Sequence, residues 1–202
     1  SPAEIVFTSC GSEGDNLAIL GTADALREKG NHIITTSVEH PAVLNTCQHL
    51  EKRGFDVTYL PVDKDGLLDL KTLEDAITDR TILMSFMCAK NETGNIYPMR
   101  EIGAIARKHK VRFHTDAVQA VGKVPVDVQT DNVDLLVISG HKIGAPKGVG
   151  AIYIRRGTKL TQLIHGGHQE RNRRAGTHNV AGIVALGAAC ELSVDATEEK
   201  AE

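Results

Sequence analysis

The sequence has no tryptophan, and tyrosine and phenylalanine bring its aromatic share to only 3%. Single-stranded nucleic acids are gripped by stacking bases on aromatic faces, so that mode of binding is excluded. No charge of one sign dominates: 23 Lys and Arg stand against 26 Asp and Glu. Nucleic acid and anionic membrane are therefore disfavoured as electrostatic partners. The four cysteines, Cys10, Cys47, Cys88 and Cys190, are far apart and form neither a CxxC pair nor zinc-ligand spacing. They point to a reducing, cytoplasmic setting. No apolar run is long enough to cross a bilayer, and no basic segment precedes an apolar one at the N-terminus, so a soluble, unexported protein is expected. HExxH, HxxxH, GxGxxG and GxxxxGK[ST] are all missing. No metal is expected, and two common routes to nucleotide binding are disfavoured.

What is present is a chain of 202 residues, 41% hydrophobic, enough for one domain or at most two. Short β-prone runs alternate with helical stretches. Strands are predicted at Ile5–Ser9, His32–Val38, Val57–Val62, Thr81–Cys88, Val111–Thr115, Leu135–Ile138 and Ala151–Ile154. Helices are predicted at Glu13–Lys29, Pro41–Arg53, Leu70–Ile77 with Asp69 as N-cap, Pro98–His109, a short one at Ala117–Gly122, and one from Val180 to Glu202. This pattern implies an α/β fold: three layers, a mostly parallel sheet with helices on both faces. Both chain ends read as cut in mid-architecture. The expectation is an incomplete chain, 1–202, lacking an N-terminal segment and a C-terminal small domain.

In such sheets ligands sit beyond the carboxyl ends of the strands. Five polar stretches fall there: Cys10 to Ser12, Glu39-His40, Lys90-Asn91, Asp116 to Gln119 and Ser139 to Lys142. Gly11 and Ser12 open a helix directly after a strand, which suits an anion such as a phosphate or is simply a capped turn. Asp116, at a strand end, either caps the next element or holds a protonated ring nitrogen, with Gln119 one turn on to donate to a nearby oxygen. His40 is either a polar residue before a helix or an imidazole able to lie on an aromatic ring and trade protons. Lys142 is either a surface lysine in a hairpin loop or a partly desolvated amine able to act as nucleophile, base or Schiff-base partner. The anion site, ring-nitrogen carboxylate and tethered lysine are the parts that pyridoxal chemistry needs.

Taken together, Thr8 to Glu13 with Asp15-Asn16, Glu39 to Leu44, Asn91 to Gly94, His114 to Gly122, Ser139 to Lys142, and Gly166 to Glu170 with Arg174 to Thr177 resemble, in order, the cysteine desulfurases of the NifS and IscS type, in the class V aminotransferase group. The resemblance implies fold type I of the pyridoxal-phosphate-dependent transferases, with residues 1–202 as the large domain. It implies that Lys142 binds pyridoxal 5'-phosphate as a Schiff base and shuttles the substrate α-proton, and that His40 stacks on the ring. Asp116 would pair with the ring nitrogen, and Gln119 and Asn91 would bond near the phenolic oxygen. Gly11, Ser12, Ser139 and His141 would hold the phosphate. Thr177 would reach the phosphate in the neighbouring subunit of a homodimer. The implied activity removes sulfur from L-cysteine, giving L-alanine and an enzyme persulfide for iron-sulfur clusters or other thio-cofactors, with a scaffold or sulfur-acceptor protein as partner. A selenocysteine lyase, a cysteine-sulfinate desulfinase or a cofactor-binding fragment inactive by itself would share these residues. The family's nucleophilic cysteine lies well beyond the lysine, where this chain offers only Cys190 in an apolar helical run, read as core. A C-terminal arginine for the substrate carboxylate is missing as well.

Overall fold

The apolar residues of the strands are sorted to two sides, and that sorting builds the molecule. The computed structural model describes residues 1–198. Its strands are β1 (Ile5–Thr8), β2 (His32–Thr36), β3 (Asp56–Leu60), β4 (Thr81–Ser85), β5 (Arg112–Asp116), β6 (Leu135–Ser139) and β7 (Gly150–Ile154). Successive residues face opposite ways, as the pleat requires. Ile33, Leu83, Leu135 and Val137 pack toward helices α1 (Gly11–Leu26) and α2 (Pro41–Glu51). Ile34, Met84 and Leu136 pack with the layer that contains α3 (Leu70–Asp75) and α4 (Met99–His109). Helices therefore cover both faces of one sheet.

The seven strands lie in the order β1-β7-β6-β5-β4-β2-β3. Pairings from β3 across to β6 are parallel, whereas β7 runs antiparallel to both β6 and β1. The sheet is thus mostly parallel, as expected, with one reversed strand. The Gly140–Val149 connection between β6 and β7 is shorter than the roughly dozen residues a parallel crossover needs, so the pair closes as a hairpin.

Local signals explain most element ends. Asp69 caps α3 as predicted, accepting the N–H groups of Lys71 and Thr72. Lys110 ends α4 in the left-handed conformation, and its N–H returns to the carbonyl of Ala106. Several expectations are corrected; β2 and β3 end two residues early, at Thr36 and Leu60. α1 stops at Leu26, short of Lys29, and β4 stops at Ser85, short of Cys88, although the Phe86 and Cys88 N–H groups still bond the β5 carbonyls of His114 and Asp116. The short helix at Ala117–Gly122 is a run of hydrogen-bonded turns, closed by Val121 and Val124 N–H on the carbonyls of Ala117 and Ala120.

Gln169–Asn172 forms a four-residue turn, α5, in which Glu170, Arg171 and Asn172 have left-handed backbones. The last helix, α6 (Val180–Glu198), packs Leu186 and Ala189 against Ala145, Val149 and Ala151. Cys190, read as core from the sequence, lies on that packed side but is only partly buried, while Val180, Val184 and Leu192 are exposed. The expected continuation of this helix to Glu202 lies outside the described residues. Among the described residues, no helix is long and apolar enough to cross a membrane.

Candidate active site

Six strands point their carboxyl ends the same way, and the loops leaving five of them meet around one cavity of about 450 Å³. That volume suits a small cofactor. Its wall carries Gly11 and Ser12 from the start of α1, His40 after β2, Asn91 after β4, Asp116 and Gln119 after β5, and Ser139, His141 and Lys142 after β6. Every predicted site residue but Thr177 is brought together here.

The α1 end of the cavity is built for an anion. Cys10, the N-cap residue, makes no side-chain cap to the helix, so the first-turn N–H groups are left for another acceptor. The dipole of this long helix favours negative charge at the same place. A methyl group on Gly11 would lie 2.9 Å from Val118 Cγ2 and in ordinary contact, 3.5 Å, with Ser139 Cβ, so a side chain there would have to push the Val118 side chain aside. Across the gap, Ser139 Oγ and His141 Nδ1 are 3.0 Å apart. Backbone donors, two hydroxyls and an imidazole thus surround one spot.

At the other end, Asp116 closes β5 and is buried. Its Oδ1 accepts the Val118 N–H at 2.9 Å, which leaves the second oxygen for the cavity. Burial lifts its carboxyl to about 6. His40 is both a helix N-cap and a cavity residue: Nδ1 accepts the Ala42 N–H at 3.1 Å, so the ring proton in that tautomer sits on Nε2. Gln119 Oε1 accepts from Lys123 Nζ at 2.8 Å, which orients its amide.

Lys142 ends a single turn of 3-10 helix, Gly140–Lys142, and is exposed at the cavity mouth. The expected partial desolvation is corrected: the turn carries the side chain past the sheet edge instead of between strands. Lys90 does not line the cavity. Its Nζ donates to the Val38 carbonyl at 2.9 Å and pairs with Glu92 at 2.6 Å, tying two mouth loops together. Thr177 is exposed and lines a separate, smaller cavity of about 120 Å³ with Thr8, Ser9 and Arg174. Within this chain it is not part of the lysine site.

Sequence reasoning quoted Asp15 in the family resemblance but gave it no place in the site. Asp15 lies on α1 in the buried row Gly11, Asp15, Ala18, Thr22 and also lines the cavity. A carboxylate on the packed stripe of a helix was the signal that could have found it. His114 Nε2 lies 3.5 Å from Asp15 Oδ1, and His114 Nδ1 meets Ser85 Oγ at 2.8 Å. Glu39 is buried nearby, with Oε1 accepting from Thr36 Oγ1 at 2.7 Å. Burial pushes Asp15 and Glu39 up to about 8 and holds His114 down at about 4. Burial thus biases these three groups toward their uncharged forms.

A lysine at the mouth, a carboxylate at one end and an anion cup at the other fit the three recognition points of pyridoxal phosphate. The aminotransferase class-V family matches residues 1–202. The chain is 59% identical over 196 residues to a cysteine desulfurase IscS of Methanosarcina thermophila, covering 97% of this chain and 48% of that protein. It is 57% identical over 192 residues to a cysteine desulfurase of a Nostoc species, covering 95% and 48%. Among solved structures it is similar to a NifS-like protein, with a TM-score of 0.95, 43% identity and coverage of 98% of this chain and 55% of the other. It is also similar to SspA in complex with cysteine, at a TM-score of 0.91 and 47% identity over 95% of this chain and 56% of that one. The chain spans about half the length of the curated relatives it matches.

Proposed function

The chain belongs to the aminotransferase class-V family, and from that premise we propose that its cavity binds pyridoxal 5'-phosphate and serves a cysteine desulfurase. The observation that carries this reading is the meeting of Lys142, Asp116 and the uncapped start of α1 on one cavity. The curated relatives are named cysteine desulfurases, and one solved relative is described in complex with cysteine. On this reading the chain is the cofactor-binding large domain. L-cysteine and a protein thiol would yield L-alanine and a persulfide, for an iron-sulfur scaffold or another sulfur acceptor.

When bound, the cofactor supplies an electron sink for the charge left by α-proton removal. The residues of this chain divide the remaining work. Gly11 and Ser12 N–H groups, with the Ser12 and Ser139 hydroxyls and His141, hold the phosphate. Asp116 offers its open oxygen to the ring nitrogen. His40 would lie against the ring, and Gln119 and Asn91 would bond near the phenolic oxygen. The Lys142 amine, on its short turn, would hold the cofactor's aldehyde carbon and serve as the base that takes and returns the substrate proton.

The sulfur-accepting thiol is assigned to the part of the relatives' length that this chain does not cover. Cys47 and Cys88 are buried, and burial pushes their thiols up to about 12 and about 11. Cys190 is partly covered by α6 packing. The four free thiols accord with a reducing cytoplasm. We assign Thr177 to the cofactor phosphate of a second copy in a homodimer, because its exposed loop stands away from its own cavity.

The test is reduction of the cofactor-loaded protein with borohydride, followed by peptide mapping. A pyridoxyl group on Lys142, lost in Lys142→Ala, is the expected result. An unchanged adduct in that variant would refute the assignment. Alanine release from L-cysteine, compared with selenocysteine and cysteine sulfinate, then decides the substrate.

A further inference from the structure

The cavity floor holds more ionisable groups than pairing with a ring nitrogen requires. Asp15 from α1, Asp116 from β5 and His40 from the β2–α2 loop each place a polar atom within 4.8 Å of the others. His114 faces Asp15 from β5, and Glu39 is buried beside the same loop. Lys142, His141, Cys10 and Glu92 border the cavity from its remaining sides. Two buried aspartates this close do not both ionise readily, because like charges in a dry site repel strongly.

Local donors differ between the two. Asp116 accepts the Val118 N–H, a bond that favours its charged form. Asp15 is the fifth residue of α1, past the free N–H groups of the first turn, so the helix backbone offers it no donor. It is 1% exposed, and its Oδ1 has no hydrogen-bond partner. With His114 Nε2 3.5 Å away and not hydrogen-bonded to it, Oδ1 of a charged Asp15 would be buried without compensation.

We propose that Asp15 is a positioning residue that keeps its proton, so that the single negative charge of the Asp15–Asp116 pair resides on Asp116, the carboxylate facing the cofactor ring nitrogen. The inference rests on the pyridoxal phosphate reading of this cavity only for what Asp116 faces; the proton's location is a property of the protein alone. Burial acts in the same sense, lifting Asp15 to about 8 and Asp116 only to about 6. A protonated Asp15 is also a donor, able to serve Asp116 or His114 Nε2, whereas an ionised one would compete with Asp116 for the ring's positive charge.

The experiment is carbon-13 NMR of the protein at its full natural length, with aspartate labelled at the carboxyl carbon and titrated from about pH 4 to about pH 9. Asp15→Asn and Asp116→Asn identify the two resonances. The cofactor-free protein is expected to keep Asp15 protonated at neutral pH and to release that proton only as pH approaches about 8. Asp116 is expected to be mostly ionised by neutral pH, and to stay so in Asp15→Asn. An ionised Asp15 at neutral pH, or an Asp116 that ionises only once Asp15 is replaced, overturns the proposal. If a variant does not fold, the wild-type titration decides. One protonated aspartate at neutral pH, persisting after pyridoxal phosphate is added, is expected; none, or one lost on addition, is the contrary result. Failure of the cofactor to label Lys142 would sink the functional reading and leave the cofactor-free titration interpretable.

Discussion

Arg174, in the loop before α6, grips Glu13 of α1 with two prongs: Nε lies 2.7 Å from Oε1 and Nη2 lies 3.2 Å from Oε2. Glu13 Oε2 also accepts the Ser9 N–H at 2.8 Å. Burial alone would raise this carboxyl, but the Arg174 and Ser9 bonds outweigh it and hold Glu13 below its ordinary value. The loop carrying Thr177 is thereby fastened to the same helix start that forms the anion cup.

Arg174→Ala should cost about 2 kcal/mol, the scale of hydrogen bonds to a charged group, measured by urea unfolding. Arg174→Lys should recover only part of it, because an ammonium cannot supply the paired fork. Limited proteolysis of the loop should quicken in both, more in the alanine variant. Equal stability of wild type and Arg174→Ala would show the pair to be ornamental.

Gly103 on α4 leaves no room for a side chain. An added Cβ would stand 1.8 Å from the Asp131 carbonyl oxygen, which is backbone and cannot swing aside. Gly103→Ala should therefore destabilise by roughly 1–3 kcal/mol despite alanine's better helix propensity. The denaturation midpoint should fall; a rise would mean that the 131–132 turn yields freely.

His114 gives the fold a defined acid response. Its folded value, about 4, lies below the ordinary 6.5, so the unfolded chain binds this proton more readily. The stability it contributes is present above about 6.5 and is lost as pH falls toward 4, at up to about 1.4 kcal/mol per pH unit. Asp15 and Glu39, raised to about 8, act oppositely: their contribution is full in acid and disappears as pH rises through 8. His114→Gln should remove the acid-side slope in that window. The check is the difference between variant and wild-type unfolding free energies, which should depend on pH only between about 4 and about 6.5.

Cys10 is the cysteine that borders the cavity, while Cys47 and Cys88 are buried. Iodoacetamide should label Cys10 well before those two, and pyridoxal phosphate should slow that labelling. Mass mapping of timed samples checks both statements. Labelling of Cys47 or Cys88 at the Cys10 rate would contradict the packing described.

Much of the cavity was legible from strand ends. Asp116, His40 and Lys142 each follow a short β-prone run, and in a sheet of mostly parallel strands such positions must share an edge. The same reasoning placed helices on both faces, since Ile33-Ile34 and Leu135-Leu136 are apolar on both sides of the pleat. Turn chemistry was harder to read. The Ala117–Gly122 stretch resembles a helix start, yet its peptide groups close only successive turns.

Sequence alone determined the class of fold, the strand-end location of the site and the chemical kinds of group it contains, because these follow from periodicity and residue type. Tertiary structure decided which of those groups meet and in what electrical state. The reversal of β7, the exposure of Lys142 and the separation of Thr177 from the lysine cavity depend on how distant segments pack. Asp15 is the clearest case. Its residue type predicts an exposed charge; only the sheet packed over α1 removes the water that would keep it ionised.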